Sequence, residues 1–208
     1  MIKEIVQDKF KANLGAVIEE IIVYFGEEYR ESLLNKAKEL QISLVEDKGA
    51  FLEGDVEVYV GDEPLCIKGE SPHIIIPLSF MGDPSGNVVL IHNLLHALSD
   101  EPFIEDSNDA FNEVIVDYMA TEIAKRLEVK KINLTVVKPT YESTSFYSKM
   151  FSEVEDFYYR NKKRIIDSRM GNYVEFEDVD EYIVGAQRVV DSAFLDDASS
   201  DFTIKRAK

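Results

Sequence analysis

Two of the three histidines in this 208-residue chain, His92 and His96, lie four positions apart in the run VVLIHNLLHAL. On a helix that spacing stacks them on one face about 6 Å apart, close enough for both imidazoles to ligate one metal ion. A second segment with helical periodicity carries Asn112-Glu113-Val114-Ile115-Val116-Asp117, offering one carboxylate at Glu113 and another a helical turn later at Asp117. Zinc in catalytic sites commonly takes two His and one Glu and leaves a fourth position for water. Ligating imidazoles also need a partner for their second ring nitrogen. His92, His96 and Glu113 meet the first requirement and Asp117 the second. The spacing of the histidines alone leaves open that they are packing residues on a buried helix face.

The segment IHNLLHALSD followed by AFNEVIVDYMATEI resembles the paired active-site helices of the gluzincin, thermolysin-like zinc metallopeptidases, which carry HExxH on one helix and NExxxD on the next. The resemblance implies zinc held by His92, His96 and Glu113, with Asp117 orienting His92. It also implies a zincin-like fold in which the strand HIIIPLS, His73 to Ser79, is the edge against which an extended peptide lies. It covers about residues 73 to 127. One position departs from the family. Asn93 stands where the family has the glutamate that takes a proton from zinc-bound water. An amide can hydrogen-bond that water but cannot accept its proton, and such assistance is worth roughly 10²–10⁴-fold in rate. The expectation is a metallopeptidase-like pseudoenzyme that binds a divalent metal, zinc, and is deficient in peptide hydrolysis. Two alternatives stay open: an active metal-dependent hydrolase whose base is another carboxylate, for instance in the acidic loop Asp100, Glu101, Glu105 and Asp106, or whose substrate needs no such base, and a metal-free peptide- or partner-binding module on the same fold.

Other residues are candidates by type alone. His73, at the start of the expected edge strand, and Tyr141 and Tyr147, beyond the metal helices, are donors of the kind that support an oxyanion or contact substrate. Tyr158 and Tyr159 sit at helical steps and read as core. The basic run Arg160 to Arg164 reads as a solvated helix face balanced by Glu153, Glu155 and Asp156.

Positioning these groups falls to a series of short elements. The spacing of Ile5, Val6, Phe10, Leu14, Val17, Ile18, Ile21, Ile22 and Phe25 predicts an amphipathic helix, interrupted at Gly26 and followed by a second helix to Leu40. From 41 to 80 the period changes to two or to short β-branched runs, giving a small sheet of four strands. The metal-site helices occupy 87–128, a short strand follows over 131–137, and C-terminal helices occupy 140–196. The fold class is therefore α+β, a mainly helical single domain over 1–208 with its small sheet in the N-terminal half.

The chain carries 40 acidic and 23 basic side chains, a net charge of −17. That field repels phosphate backbones, which disfavours nucleic acid, and it favours an extended cationic peptide or a cationic protein as partner. A hydrophobic content of 45% places the sequence among folding chains rather than disordered acidic ones. The lone cysteine, Cys66, cannot form an internal disulfide. No apolar run approaches the ~20 residues of a membrane helix, and the opening MIKEIVQDKFK lacks the pattern of a secretory signal. These features point to the cytoplasm.

Overall fold

The computed structural model of the protein describes residues 2–46, 49–53, 56–67, 71–100, 109–141, 143, 146–176, 179–180, 182–185 and 188. Its helices are α1 (Ile2–Phe25), α2 (Arg30–Glu39), α3 (Gly86–Leu98), α4 (Asp109–Lys130) and α5 (Phe151–Arg169), with 3₁₀ turns at Glu27–Tyr29, Leu78–Gly82 and Phe146–Met150. The strands are β1 (Gln41–Val45), β2 (Gly49–Glu53), β3 (Val56–Val60), β4 (Leu65–Ile67) and β5 (His73–Pro77). The architecture is α+β and mostly helical. No described helix is long and apolar enough to cross a membrane.

The helical periodicity translates directly into burial. Val17, Ile21, Ile22 and Phe25 line the inner face of α1 at 0–2% exposure. The chain then breaks at Gly26, whose φ of 118° suits glycine and whose missing Cβ would sit 2.5 Å from the Glu28 carboxylate. Helix α3 is apolar almost all round and is the innermost helix: Val88, Leu90, Ile91, Leu94, Leu95 and Leu98 are each 0–1% exposed. Against it packs α4, through Phe111, Val114, Ile115, Met119 and Ile123, all fully buried. Helix α5 closes the other side with Val154, Phe157, Tyr158, Ile165 and Ile166, and Phe157 meets Phe111 edge-on at 5.5 Å between ring centres.

Polar contacts fix how these helices sit. Glu20 on α1, 3% exposed, pairs with Lys130 and lies 3.6 Å from Arg126, tying α1 to the C-terminal end of α4. Asn87 at the start of α3 accepts a 2.9 Å hydrogen bond from the Leu134 amide. The segment after α4 is not the strand expected over 131–137. Lys131 turns it through a φ of 57°, and Asn133 takes up the local backbone: its side-chain oxygen accepts from the Thr135 amide at 3.0 Å and its nitrogen donates to the Val137 carbonyl at 2.8 Å. Side chains that offer such bonds compete with a ladder.

The β-region holds five strands in two sheets, where four were expected. β2 and β3 form an antiparallel hairpin, and β1, β5 and β4 form a three-stranded sheet in that order. β5 is consequently central, parallel to β1 with Gln41 opposite His73, and antiparallel to β4 with Ile67 opposite His73. The edge-strand expectation for His73 to Ser79 is overturned, and the strand also ends at Pro77 rather than running on to Ser79. The physical reason is visible in HIIIP itself, where four apolar residues follow His73 and every position is buried, as in a strand covered on both faces. The edges of this sheet are β1 and β4.

In the C-terminal part, α5 is preceded by a 3₁₀ turn, and the described residues between 179 and 188 are helical; the end of the helical stretch expected to reach 196 lies outside the described residues. Beyond the 3.2 Å hydrogen bond from Arg160 Nε to the Asp156 carbonyl, the basic run on α5 meets further partners. Lys163 pairs with Glu28 and Asp167, Lys162 stands 3.8 Å over the Tyr24 ring, and Arg160 donates to the Tyr182 hydroxyl at 2.6 Å.

Gly86, at the first turn of α3, has no room for a side chain: a Cβ would lie 2.6 Å from the Thr135 methyl and 3.3 Å from the Phe80 carbonyl oxygen. Thr135 cannot easily yield, being fully buried and bonded to Asn133 at 2.9 Å. Gly86→Ala is therefore expected to cost about 1–3 kcal/mol despite the better helix propensity of alanine. This is a fall of several degrees in Tm by calorimetry; an unchanged or higher Tm would contradict the packing.

Candidate metal centre

His92 and His96 face the same side of α3, and Glu113 reaches them from the first turns of α4. The His92 and His96 Nε2 atoms are 3.1 Å apart. Glu113 spans both, with Oε2 at 3.0 Å from His92 Nε2 and Oε1 at 3.2 Å from His96 Nε2. Around a tetrahedral ion with bonds of about 2.0–2.2 Å, neighbouring ligand atoms are about 3.3–3.5 Å apart. The two imidazole nitrogens stand a few tenths of an ångström inside that separation, each faces a different oxygen of Glu113, and with one atom from each residue the three lie within 4.8 Å of one another, close enough to hold one metal ion. Two imidazole nitrogens and a carboxylate oxygen suit zinc among other divalent metals.

The remaining nitrogen of His92 meets the partner anticipated for it. Asp117, 3% exposed, places Oδ1 3.7 Å from His92 Nδ1. Its other oxygen accepts a 2.6 Å hydrogen bond from the Ser143 hydroxyl. Ser143 lies far along the chain from either helix and carried no sequence signal of this role.

The site's electrostatics follow from this arrangement. Burial pushes the Glu113 carboxyl upward, yet the hydrogen bonds and charges of the two histidines outweigh it and hold the group well below the usual carboxylate range. His92 is pushed down by burial and raised by Asp117 and Glu113, with a net rise. His96 is also pushed down by burial, but it has only Glu113 to counter this and feels the positive charges of His92 and Arg169, so its net shift is downward. The asymmetry comes from His92 facing two carboxylates and His96 one.

Arg169 was not singled out by the sequence. It ends α5, is 2% exposed, and its charge acts on both Glu113 and His96. Burial lowers its pKa to about 10, which leaves it cationic at neutral pH. A signal was present in the helical spacing: Tyr158, Ile165, Ile166 and Arg169 share the inner stripe of α5. An arginine on an apolar stripe is a buried charge awaiting a partner.

Asn93 is 7% exposed, and its amide nitrogen donates 2.9 Å back to the Val89 carbonyl of its own helix. Of the acidic loop, Asp100 forms a 2.6 Å ion pair with Lys36, and Glu101, Glu105 and Asp106 lie outside the described residues. His73 is buried on β5 with Nε2 2.9 Å from the Ser43 hydroxyl on the neighbouring strand. Tyr141 is raised by burial and by the charge of Glu128, which lies about 22 Å along α4 from Glu113 at 1.5 Å per residue. Tyr147 falls in the 3₁₀ turn Phe146–Met150, and its side chain is outside the described set. Tyr158 is core, as expected, and Tyr159 is half exposed beside Tyr118. The structure therefore assembles His92, His96, Glu113 and Asp117, and adds Ser143 and Arg169.

Comparison of the chain with family models, with curated proteins and with solved structures gave no match in any of the three.

The sign of the Glu113 shift gives a test in the metal-free protein. A carboxyl whose folded-state pKa is depressed stabilises the fold above its unfolded value, about 4.3, and that contribution is lost as the pH falls below it. Between about pH 5 and pH 3, Glu113→Gln is expected to lose less stability than the unsubstituted chain, read as the shift in urea midpoint. Equal losses would mean that Glu113 is not held by the histidines.

Proposed function

We propose that this protein is a metallopeptidase-like, zincin-related domain that binds a divalent metal, zinc by preference, through His92, His96 and Glu113, and that it is deficient in ordinary peptide hydrolysis. The observation that carries the reading is the convergence, from two helices, of two imidazole Nε2 atoms 3.1 Å apart on one carboxylate, whose Oε2 lies 3.0 Å from His92 and whose Oε1 lies 3.2 Å from His96. Asp117 directed at the second nitrogen of His92 supports it further, because an oriented imidazole is a requirement of metal sites that a packing histidine does not share. The order of these groups along the chain is the one the gluzincin resemblance implies.

A metal held there would act as a Lewis acid toward a carbonyl oxygen and would lower the pKa of bound water. This chain's own residues determine what can follow. Asn93 occupies the position of the proton acceptor, and an amide has no proton-accepting capacity at neutral pH; its nitrogen is moreover engaged with Val89. Asp100 is committed to Lys36. What remains is a centre able to hold a carbonyl or carboxylate oxygen without moving the protons that amide hydrolysis needs. An extended peptide pairing with the sheet would use the open edges β1 or β4, since both sides of β5 are occupied. The net charge of −17 favours a basic peptide.

Zinc is expected to raise the Tm of the purified chain and to bind at one equivalent in a chelator-competition titration, and His92→Ala is expected to abolish both. A chain that neither takes up zinc nor gains stability from it would refute the metal assignment. In the zinc-loaded protein, Asn93→Glu is expected to raise cleavage of unstructured peptides by about 10²–10⁴-fold over the unsubstituted chain. Equal cleavage by both would show that the proton acceptor lies elsewhere.

A further inference from the structure

Arg169 is the largest fully buried side chain of the described set, and it is a charged one. A guanidinium offers five N–H donors and normally enters an interior only against a carboxylate or a phosphate. Here one donor is used on a neutral acceptor: Nη2 donates 3.0 Å to the Ser99 hydroxyl, which in turn donates to the Leu95 carbonyl. Nε, which is buried, has no hydrogen-bond partner among the described residues. None of the ion pairs among described residues includes Arg169. Leaving a buried charge in this state is costly, and a ligand oxygen would relieve it.

The position of the group tells where that oxygen would come from. Ser99 is the C-cap of α3, three residues after His96, and its hydroxyl is bonded to the Leu95 carbonyl, next to His96 in the chain. The guanidinium is thus anchored at the C-terminal end of the helix that carries both histidines, and its charge acts on His96 and Glu113. The charge balance agrees. A divalent ion at the triad would be matched by the Glu113 and Asp117 carboxylates, and Arg169 would leave one positive charge over, to be neutralised by an anion at the open coordination position.

We propose that the site recognises a carboxylate, held between the metal at His92, His96 and Glu113 and the Arg169 guanidinium, so that this chain captures the carboxylate of its ligand rather than attacking an internal amide. The proposal rests on the metal reading above. It also reconciles two opposed fields: an acidic exterior that attracts a basic peptide, and a cationic interior that fits that peptide's terminal carboxylate. The same chemistry is carried by a free small carboxylic acid.

Calorimetric titration of the full zinc-loaded chain separates these possibilities. The probes are a lysine-containing hexapeptide with a free C-terminus, the same peptide amidated, and acetate as competitor. The free-acid peptide is expected to bind at least about tenfold more tightly than the amide, the size of one charge-assisted contact. Arg169→Met should remove that difference while still taking up one equivalent of zinc, and Ser99→Ala, which releases the guanidinium from its anchor, should reduce it. Displacement of the peptide by acetate would identify a free acid as sufficient, and failure to displace it would assign the carboxylate to a peptide end. Equal affinity for acid and amide in the zinc-loaded, unsubstituted chain would overturn the proposal while leaving the metal site intact. No zinc uptake at all would instead overturn the reading on which it rests.

Discussion

One carboxylate bridges two imidazoles across the junction of the two innermost helices, and much of the molecule serves to hold it there. Glu113 approaches His92 and His96 at 3.0 and 3.2 Å while the imidazoles themselves stand 3.1 Å apart. Three polar groups so close together in a largely apolar interior are unfavourable unless a proton or a metal ion sits among them. The scaffold keeps them in place regardless. α3 is buried on nearly every side, α4 lies against it through fully buried residues, and α1 is tied to the end of α4 by Glu20. Gly86 permits the tight approach of α3 to the segment after α4, and Asn87 fixes the same join by a hydrogen bond. A centre held this firmly is preorganised, so little of the binding energy of an ion would go into ordering its ligands.

What such a centre does depends on the groups beside it, and two side chains carry the proposed reading. Asn93 turns its amide back onto its own helix in place of a proton acceptor. Arg169 places a buried positive charge within electrostatic reach of Glu113 and His96. A missing base weakens the attack of water, and an added cation strengthens the hold on an anionic oxygen. On the proposed reading both features favour binding over turnover, and they do so from different elements, α3 and α5.

The parts of this account that were legible in the sequence are those set by local geometry. A helix fixes the spacing of His92 and His96, and of Glu113 and Asp117, so their faces could be read from residue numbers alone; the apolar stripes of α1, α3 and α4 were equally plain. Strand order was not legible, because pairing is decided by partners far along the chain. HIIIP is central since β1 and β4 reach it from either side, which nothing within those five residues states beyond their uniform apolarity. The turn over 131–137 was hidden by a β-like composition and is set by Asn133 bonding to its own neighbours. Arg169 was overlooked because it closes a helix rich in charges, although its place on the inner stripe marked it. Ser143 reaches Asp117 only through the path of the chain after α4.

The most direct test is a crystal structure of the zinc-soaked protein with anomalous diffraction recorded at the zinc absorption edge. A single strong peak is predicted between α3 and α4, at about 2.0–2.2 Å from the His92 and His96 Nε2 atoms and a Glu113 carboxylate oxygen. A peak located elsewhere, or none at this junction in a protein whose fold is otherwise as described, would contradict it.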